Sequence, residues 1–116
     1  MSKKIVILAS GNGSNAEVIM RHFDFSAKIE VSSIISNNSQ AGVFDRAKRF
    51  RVPCLWMDKK SFESDVVLNF LLTEKPDLIV LAGFLWKIPA SLVQTFPNKI
   101  INIHPALLPK YGGKGM

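Results

Sequence analysis

Short apolar runs alternate along the chain with longer stretches in which apolar residues recur every three or four positions. The short runs are largely β-branched and bounded by turn residues, so they predict strands over residues 5–10, 31–36, 54–57, 78–83 and 100–104. The periodic stretches predict helices over residues 15–23, 41–50 and 62–75, with a short helix after Pro89. Strands that are apolar on both faces and alternate with helices are typical of an α/β fold with a parallel sheet.

The length of the chain allows one domain of this kind. A sequence of 116 residues with 47% hydrophobic residues can bury one modest core, and not two self-sufficient ones. In parallel sheets, ligands bind beyond the carboxyl ends of the strands, near the point where the strand order reverses. We therefore expect the functional side chains in the loops that follow the first, second, fourth and fifth strands.

Cysteine content and hydropathy limit the class of protein. Cys54 is the only cysteine, which excludes an intrachain disulfide and a Cys-rich metal site and favours a reducing compartment. The apolar run that begins at Ile5 stops too early for a signal peptide, and no stretch approaches the roughly 20 apolar residues that span a bilayer. We therefore expect a cytoplasmic protein without a membrane partner.

The net charge of +6 raises the question of a nucleic-acid partner. The basic residues are spread thinly, without the stripe of Arg, Lys and aromatic residues that such partners require. All nine acidic residues lie between Glu17 and Asp77. We predict no nucleic-acid partner.

The loop after the first strand, Gly11-Asn12-Gly13-Ser14-Asn15, carries the first candidate chemistry. Glycines allow positive φ and close backbone approach, and the N-terminus of the following helix favours an anion. The alternative is a tight turn without a ligand, in which Ser14 or Asn15 caps the helix. With Ala16 the loop also matches a degenerate dinucleotide pattern, but the second strand ends without the acidic residue that a ribose requires. The loop thus predicts a phosphomonoester site in preference to NAD.

Asn102 and His104 stand two residues apart at the end of the fifth strand, so both side chains project from the same face. An amide that donates to a developing oxyanion, beside an imidazole that transfers a proton, suits acyl transfer. The alternative is a strand end whose Asn bonds the turn and whose His is packed. The only other histidine, His22, is expected on the surface of the first helix, so we predict no metal site.

The loop after the fourth strand, Gly83-Phe84-Leu85-Trp86-Lys87-Ile88-Pro89, offers an apolar wall, backbone groups and one cation. These features suit a flat heteroaromatic ligand held by stacking and main-chain hydrogen bonds. From composition alone, an ordinary loop whose aromatic residues belong to the core is as well supported as a ligand-binding loop.

Three segments together resemble a known family: I-V-I-L-A-S-G-N-G-S-N, P-D-L-I-V-L-A-G-F-L and I-I-N-I-H-P-A-L-L-P-K-Y. In order and spacing they are similar to the phosphoribosylglycinamide formyltransferases, folate-dependent enzymes of purine biosynthesis. The resemblance implies a Rossmann-like, mostly parallel sheet with helices on both faces. It also implies that residues 1–116 are the N-terminal nucleotide-binding part of a single formyltransferase domain, with no second domain and with the C-terminal part absent.

The resemblance implies a reaction and roles for named residues. A formyl group would pass from 10-formyltetrahydrofolate to the amine of glycinamide ribonucleotide. The backbone of Gly13, Ser14 and Asn15 would hold the phosphate of the ribonucleotide. Asn102 and protonated His104 would stabilise the oxyanion, and His104 would give a proton to the departing folate nitrogen. No metal would be needed, and the protein would act as a monomer or homodimer.

The folate would lie against the loop after the fourth strand, with Leu85, Trp86, Lys87 and Ile88 lining the pterin pocket and Asn102 nearby. Familiar bacterial members have an arginine in place of Trp86. Another arginine, which approaches the folate tail in some members, has no clear counterpart here, and Lys60 is the candidate for its place.

The family also has a catalytic aspartate in a segment after N-I-H-P that has no counterpart in this sequence, so we expect these 116 residues alone to be inactive. Two alternatives remain open. One is formyltetrahydrofolate deformylase, which normally has a regulatory domain before the first strand, and the other is a non-catalytic phosphate-binding α/β module.

Overall fold

The protein forms an α/β fold in a computed structural model that describes residues 2–103. The strands of this part are β1 (Lys3–Leu8), β2 (Ile29–Ser36), β3 (Cys54–Trp56), β4 (Leu78–Ala82) and β5 (Ile100–Ile103). The helices are α1 (Ser14–Phe23), α2 (Val43–Arg49), α3 (Lys59–Glu63), α4 (Asp65–Glu74) and α5 (Ala90–Thr95). The predicted strands and helices are confirmed in kind, except for the single helix over residues 62–75. His104, predicted to end the fifth strand, lies outside the described residues.

The five strands form one parallel sheet in the order β3-β2-β1-β4-β5. The chain moves outward from β1 through β2 to β3, crosses back to β4 beside β1, and then continues to β5 on the other side. The strand order therefore reverses between β1 and β4. In such sheets the carboxyl ends of the two strands at the reversal border the ligand crevice.

The core is divided between the two faces of the sheet, because successive side chains of a strand point to opposite sides. In β1, Ile5 and Ile7 belong to one buried cluster, while Val6 and Leu8 belong to the other. The first cluster includes residues of α1 and α2, and the second includes residues of α3, α4 and α5. The predicted Rossmann-like arrangement with helices on both faces is thus confirmed.

The predicted single helix over residues 62–75 is wrong, because the chain forms two helices there that are separated at Ser64. Asp58 caps α3, with its carboxylate accepting from the Ser61 N–H at 2.8 Å. Ser64 has extended backbone, and its hydroxyl accepts from the Val66 N–H at 3.4 Å. Serine and aspartate at N-caps satisfy N–H groups that a helix leaves free, so each helix has its own start.

Within the described residues, no helix is both long enough and apolar enough to cross a membrane.

Candidate functional site

A cleft opens where β1 and β4 end, at the point where the strand order reverses. Its volume is about 200 Å³. It is lined by Gly11, Asn12, Gly13, Ser14, Asn15, Ala82 and Gly83. The predicted phosphate loop therefore lines one side of this cleft and the end of β4 lines the other.

Gly13 shapes the loop because its backbone is left-handed, with a φ of 81°, at the N-cap of α1. Its carbonyl accepts from the Glu17 N–H at 2.8 Å and so begins the helix. A Cβ atom at Gly13 would lie 2.6 Å from Cγ2 and 2.8 Å from Cα of Val43. Only glycine meets both the conformational and the steric demands of this position.

Asn12 supplies the polar partner at the start of α1. Its Oδ1 accepts from the Ser14 N–H at 3.0 Å, whereas Gly13 at the N-cap has no side chain to do so. The alternative in which Ser14 or Asn15 caps the helix is therefore wrong. This exposed amide oxygen therefore accepts from an N–H group of the kind that donates to anions at helix N-termini.

Helix α2 supports the loop from behind. Arg46 donates from Nε to the Asn12 carbonyl at 2.5 Å and from Nη1 to Oε1 of Glu17 at 2.6 Å. Glu17 is 7% exposed and also pairs with Arg21 and Arg49. The hydrogen bond from Arg46, followed by the charges of the neighbouring arginines, lowers the pKa of Glu17 below its usual value. Sequence analysis missed this cluster because its members lie up to 32 residues apart.

The loops after β1 and β4 are tied together by Ser10, which is 5% exposed. Its backbone N–H donates to the Gly83 carbonyl at 3.3 Å, and its hydroxyl accepts from the Leu85 N–H at 2.8 Å. Gly83 permits the turn with a φ of 73°. The Leu85 N–H is therefore already bonded within the protein.

The aromatic residues of the second loop pack on α3. The ring of Phe62 lies 5.1 Å from that of Phe84 and 5.6 Å from that of Trp86. Beside them is a second cavity of about 200 Å³. Its lining consists of Lys59, Phe62, Glu63, Leu85, Trp86 and Lys87. Trp86 therefore fits both interpretations of this loop, as part of the core and as the wall of a ligand site, because it packs on Phe62 and also borders a cavity.

Three other predicted site residues have different surroundings. Asn102 is exposed on β5 and is paired in register with Leu81, one residue before the end of β4. Lys60 is exposed on α3, but Lys59 rather than Lys60 lines the second cavity. Ile88 is half-buried against the core cluster on the α4 side of the sheet. His104 lies outside the described residues.

The remaining chemistry-bearing side chains stand apart from the cleft. His22 is exposed in the last turn of α1, as predicted, and its ring meets Phe23 edge-on. Cys54 is half-buried, and burial raises the pKa of its thiol to about 11. Within residues 2–103, His, Cys, Asp and Glu side chains form no group of three or more that could hold a metal ion.

A sequence profile for the family described as "Formyl transferase" matches residues 3–116. The chain belongs to the formyl transferase family. Among curated members, it is 36% identical to phosphoribosylglycinamide formyltransferase of Bacillus subtilis, with 96% of this chain and 60% of that protein covered. It is 39% identical to the Haemophilus influenzae protein of the same name, with 96% and 55% covered.

Solved structures of formyl transferases share the fold. The phosphoribosylglycinamide formyltransferase of Brucella melitensis superimposes with a TM-score of 0.84 at 30% identity, with 97% of this chain and 62% of that one covered. The Coxiella burnetii protein gives a TM-score of 0.75 at 36% identity, with 97% and 56% covered. The chain therefore spans somewhat more than half the length of these relatives.

Proposed function

We propose that the protein transfers a formyl group from 10-formyltetrahydrofolate to the amine of glycinamide ribonucleotide, a step of purine biosynthesis. The observation that carries the proposal is the cleft between β1 and β4, where a glycine loop at the start of α1 meets the loop after β4. Relatives named phosphoribosylglycinamide formyltransferase support the choice of reaction.

The ribonucleotide phosphate is assigned to the N–H groups of Gly13, Ser14 and Asn15. These groups border the cleft, and the positive end of the α1 dipole favours an anion there. Binding would exchange one acceptor for another at Ser14, because the Asn12 side-chain oxygen that now accepts from this N–H is exposed to solvent.

The formyl donor is assigned to the loop after β4. The second cavity offers an apolar wall from Leu85 and Trp86 and the cations of Lys59 and Lys87, which suit a flat ring with an anionic tail. At about 200 Å³ it accommodates only part of such a ligand, since pockets for drug-sized ligands begin near 300 Å³. Ile88 contributes to the same loop, and Lys60 on the neighbouring helix is our candidate for the tail. The donor supplies the formyl carbon, and no metal is invoked.

Asn102 and His104 are assigned to the chemistry. The amine attacks the formyl carbon, a new C–N bond forms, and the bond from that carbon to the folate nitrogen breaks. The attacking nitrogen gives up one proton and the departing folate nitrogen gains one, so no net proton is taken up. The Asn102 amide donates to the oxygen that gains negative charge, and this exposed side chain lies on the strand next to β4. His104 gives a proton to the departing nitrogen. We further propose that the protein acts in the cytoplasm, which fits its single unactivated thiol.

The test is a formyl-transfer assay on the full-length protein with both substrates. We expect His104→Ala to lower kcat by about two to four orders of magnitude and Asn102→Ala by about two to three. His22→Ala is the matched control, because that histidine is exposed on the far end of α1 and should leave the rate unchanged. Full activity of His104→Ala would refute the catalytic assignment. Release of formate without an amine acceptor would identify a deformylase, and binding of glycinamide ribonucleotide without turnover would identify a non-catalytic module.

A further inference from the structure

Arg46 joins two helices to the loop that borders the cleft. Its Nε bonds the Asn12 carbonyl at 2.5 Å, and its Nη1 bonds Oε1 of Glu17 at 2.6 Å. The side chain is 28% exposed, and Arg46 does not itself line the cleft. It therefore acts on the loop from outside, through the peptide of Asn12 and the carboxylate of Glu17.

Glu17 presents an electrostatic problem for an anion site. It lies in the first turn of α1, the helix whose N-terminus borders the cleft, and only 10% of its side chain is exposed. A shielded carboxylate in this place repels a nearby phosphate and competes with it for the positive end of the helix. The neighbouring arginines, Arg46 first, offset this charge and lower the pKa of Glu17, so the carboxylate stays ionised.

Arg46 is the best placed of the three arginines that do so. Arg21 and Arg49 are 67% and 63% exposed, so water screens much of their effect. Arg46 is the least exposed of the three and the one that also bonds the loop. The loop is further held to the start of α2, because the Val43 N–H donates to the Gly11 carbonyl at 3.3 Å. The position of Arg46 is thus set by the same packing that sets the loop.

We propose that Arg46 is a positioning residue of the phosphate site, which fixes the Asn12 peptide and offsets the charge of Glu17. This inference rests on the proposed function, because it assumes that the ligand of the cleft carries a phosphate. Two consequences follow. Loss of Arg46 should weaken phosphate binding, and removal of the Glu17 charge should restore part of what was lost.

The experiment is a calorimetric titration of the full-length protein with glycinamide ribonucleotide, with circular dichroism to verify the fold of each variant. We expect Arg46→Gln to raise the Kd about tenfold, the usual weight of a charge-assisted bridge. Arg46→Lys, which keeps the charge but not both bonds, should fall between Arg46→Gln and the wild type. The double variant Glu17→Gln/Arg46→Gln should bind more tightly than Arg46→Gln alone.

Arg49→Gln is the matched control, because Arg49 contacts the same carboxylate at 3.3 Å but is not bonded to Asn12. Its Kd should change less than about twofold, as is usual for an exposed pair. The KM for the formyl donor should stay constant in all variants, which a general loss of structure would not allow.

The proposal is overturned if Arg46→Gln, folded as the wild type, binds glycinamide ribonucleotide within twofold of it. The proposed compensation of the Glu17 charge is overturned if Arg46→Gln and the double variant Glu17→Gln/Arg46→Gln lose equal affinity. If the wild type itself does not bind the ribonucleotide, the proposed function fails instead. Inorganic phosphate then serves as the probe, and the inference still requires a weaker affinity for it in Arg46→Gln.

Discussion

Replacement of Gly13 by alanine tests whether the loop at the cleft is held by both conformation and packing. The left-handed backbone, with a φ of 81°, costs a residue with a Cβ about 1–2 kcal/mol. The new methyl would lie 2.6 Å from Cγ2, 2.7 Å from Cβ and 2.8 Å from Cα of Val43. Overpacking of this kind costs a further 1–3 kcal/mol or so. We therefore expect Gly13→Ala to lower the free energy of unfolding by about 2–5 kcal/mol.

Two other glycines of the same cleft serve as controls. Gly83 has a φ of 73° but open space around a built Cβ, so Gly83→Ala should show the conformational cost alone, about 1–2 kcal/mol. Gly11 has neither a positive φ nor a neighbour within 4 Å, so Gly11→Ala should change stability by less than about 0.5 kcal/mol. Comparison of the three variants therefore separates the cost of the left-handed backbone from the cost of the contact with Val43.

The assay is urea denaturation followed by far-ultraviolet circular dichroism, with affinity for glycinamide ribonucleotide measured on the same samples. Val43→Ala should not rescue Gly13→Ala, because the Cβ and Cα of residue 43 remain within 2.8 Å of the new methyl. An unfolding free energy of Gly13→Ala equal to that of Gly83→Ala would refute the reasoning, since the contact with Val43 would then cost nothing.

Three further predictions concern single side chains. Ser10→Ala removes the acceptor of the Leu85 N–H, so the free energy of unfolding measured in urea should fall by about 1 kcal/mol. The KM for the formyl donor should rise as well, and an unchanged KM would contradict the link between the loops. Cys54, with its pKa near 11, should react with iodoacetamide at about pH 8 roughly 100-fold more slowly than a free thiol, and an equal rate would show that it is not shielded. Glu17 has a lowered pKa in the folded state, so its stabilising effect is present above its ordinary value of 4.5 and is lost as the pH falls below it. The free energy of unfolding should therefore fall less with decreasing pH in Glu17→Gln than in the wild type. Identical pH profiles would contradict the stabilising role of ionised Glu17.

The local pattern of the sequence predicted most of the fold because each strand and helix has its own signal. Residues 5–9 and 78–82 are all apolar, and in the structure these segments lie between two layers of helices. The break at Ser64 was missed because apolar residues continue at helical spacing across it. Periodicity does not detect a serine that caps a new helix, although Asp58 and Ser64 are both N-cap residue types.

In the candidate site, too, features with a local sequence signal could be predicted and long-range contacts could not. The glycine loop could be predicted because a turn between a strand and a helix has a local signature, and it borders the cleft as expected. The bond between Ser10 and Leu85 joins residues 75 positions apart, and that between Arg46 and Asn12 joins residues 34 apart. Contacts of this range depend on the packing of whole elements, with β4 beside β1 and α2 beside α1, and no periodicity in the sequence specifies them.

Charge illustrates why the three-dimensional arrangement matters more than the total. The sequence has a net charge of +6 that is thinly spread along the chain, and on that basis no anionic polymer was predicted as a partner. Folding gathers three arginines around the one carboxylate of Glu17, which gives this cluster a local charge of +2 behind the loop that borders the cleft. A small anion that enters the cleft therefore meets a helix N-terminus with a compensated acid behind it.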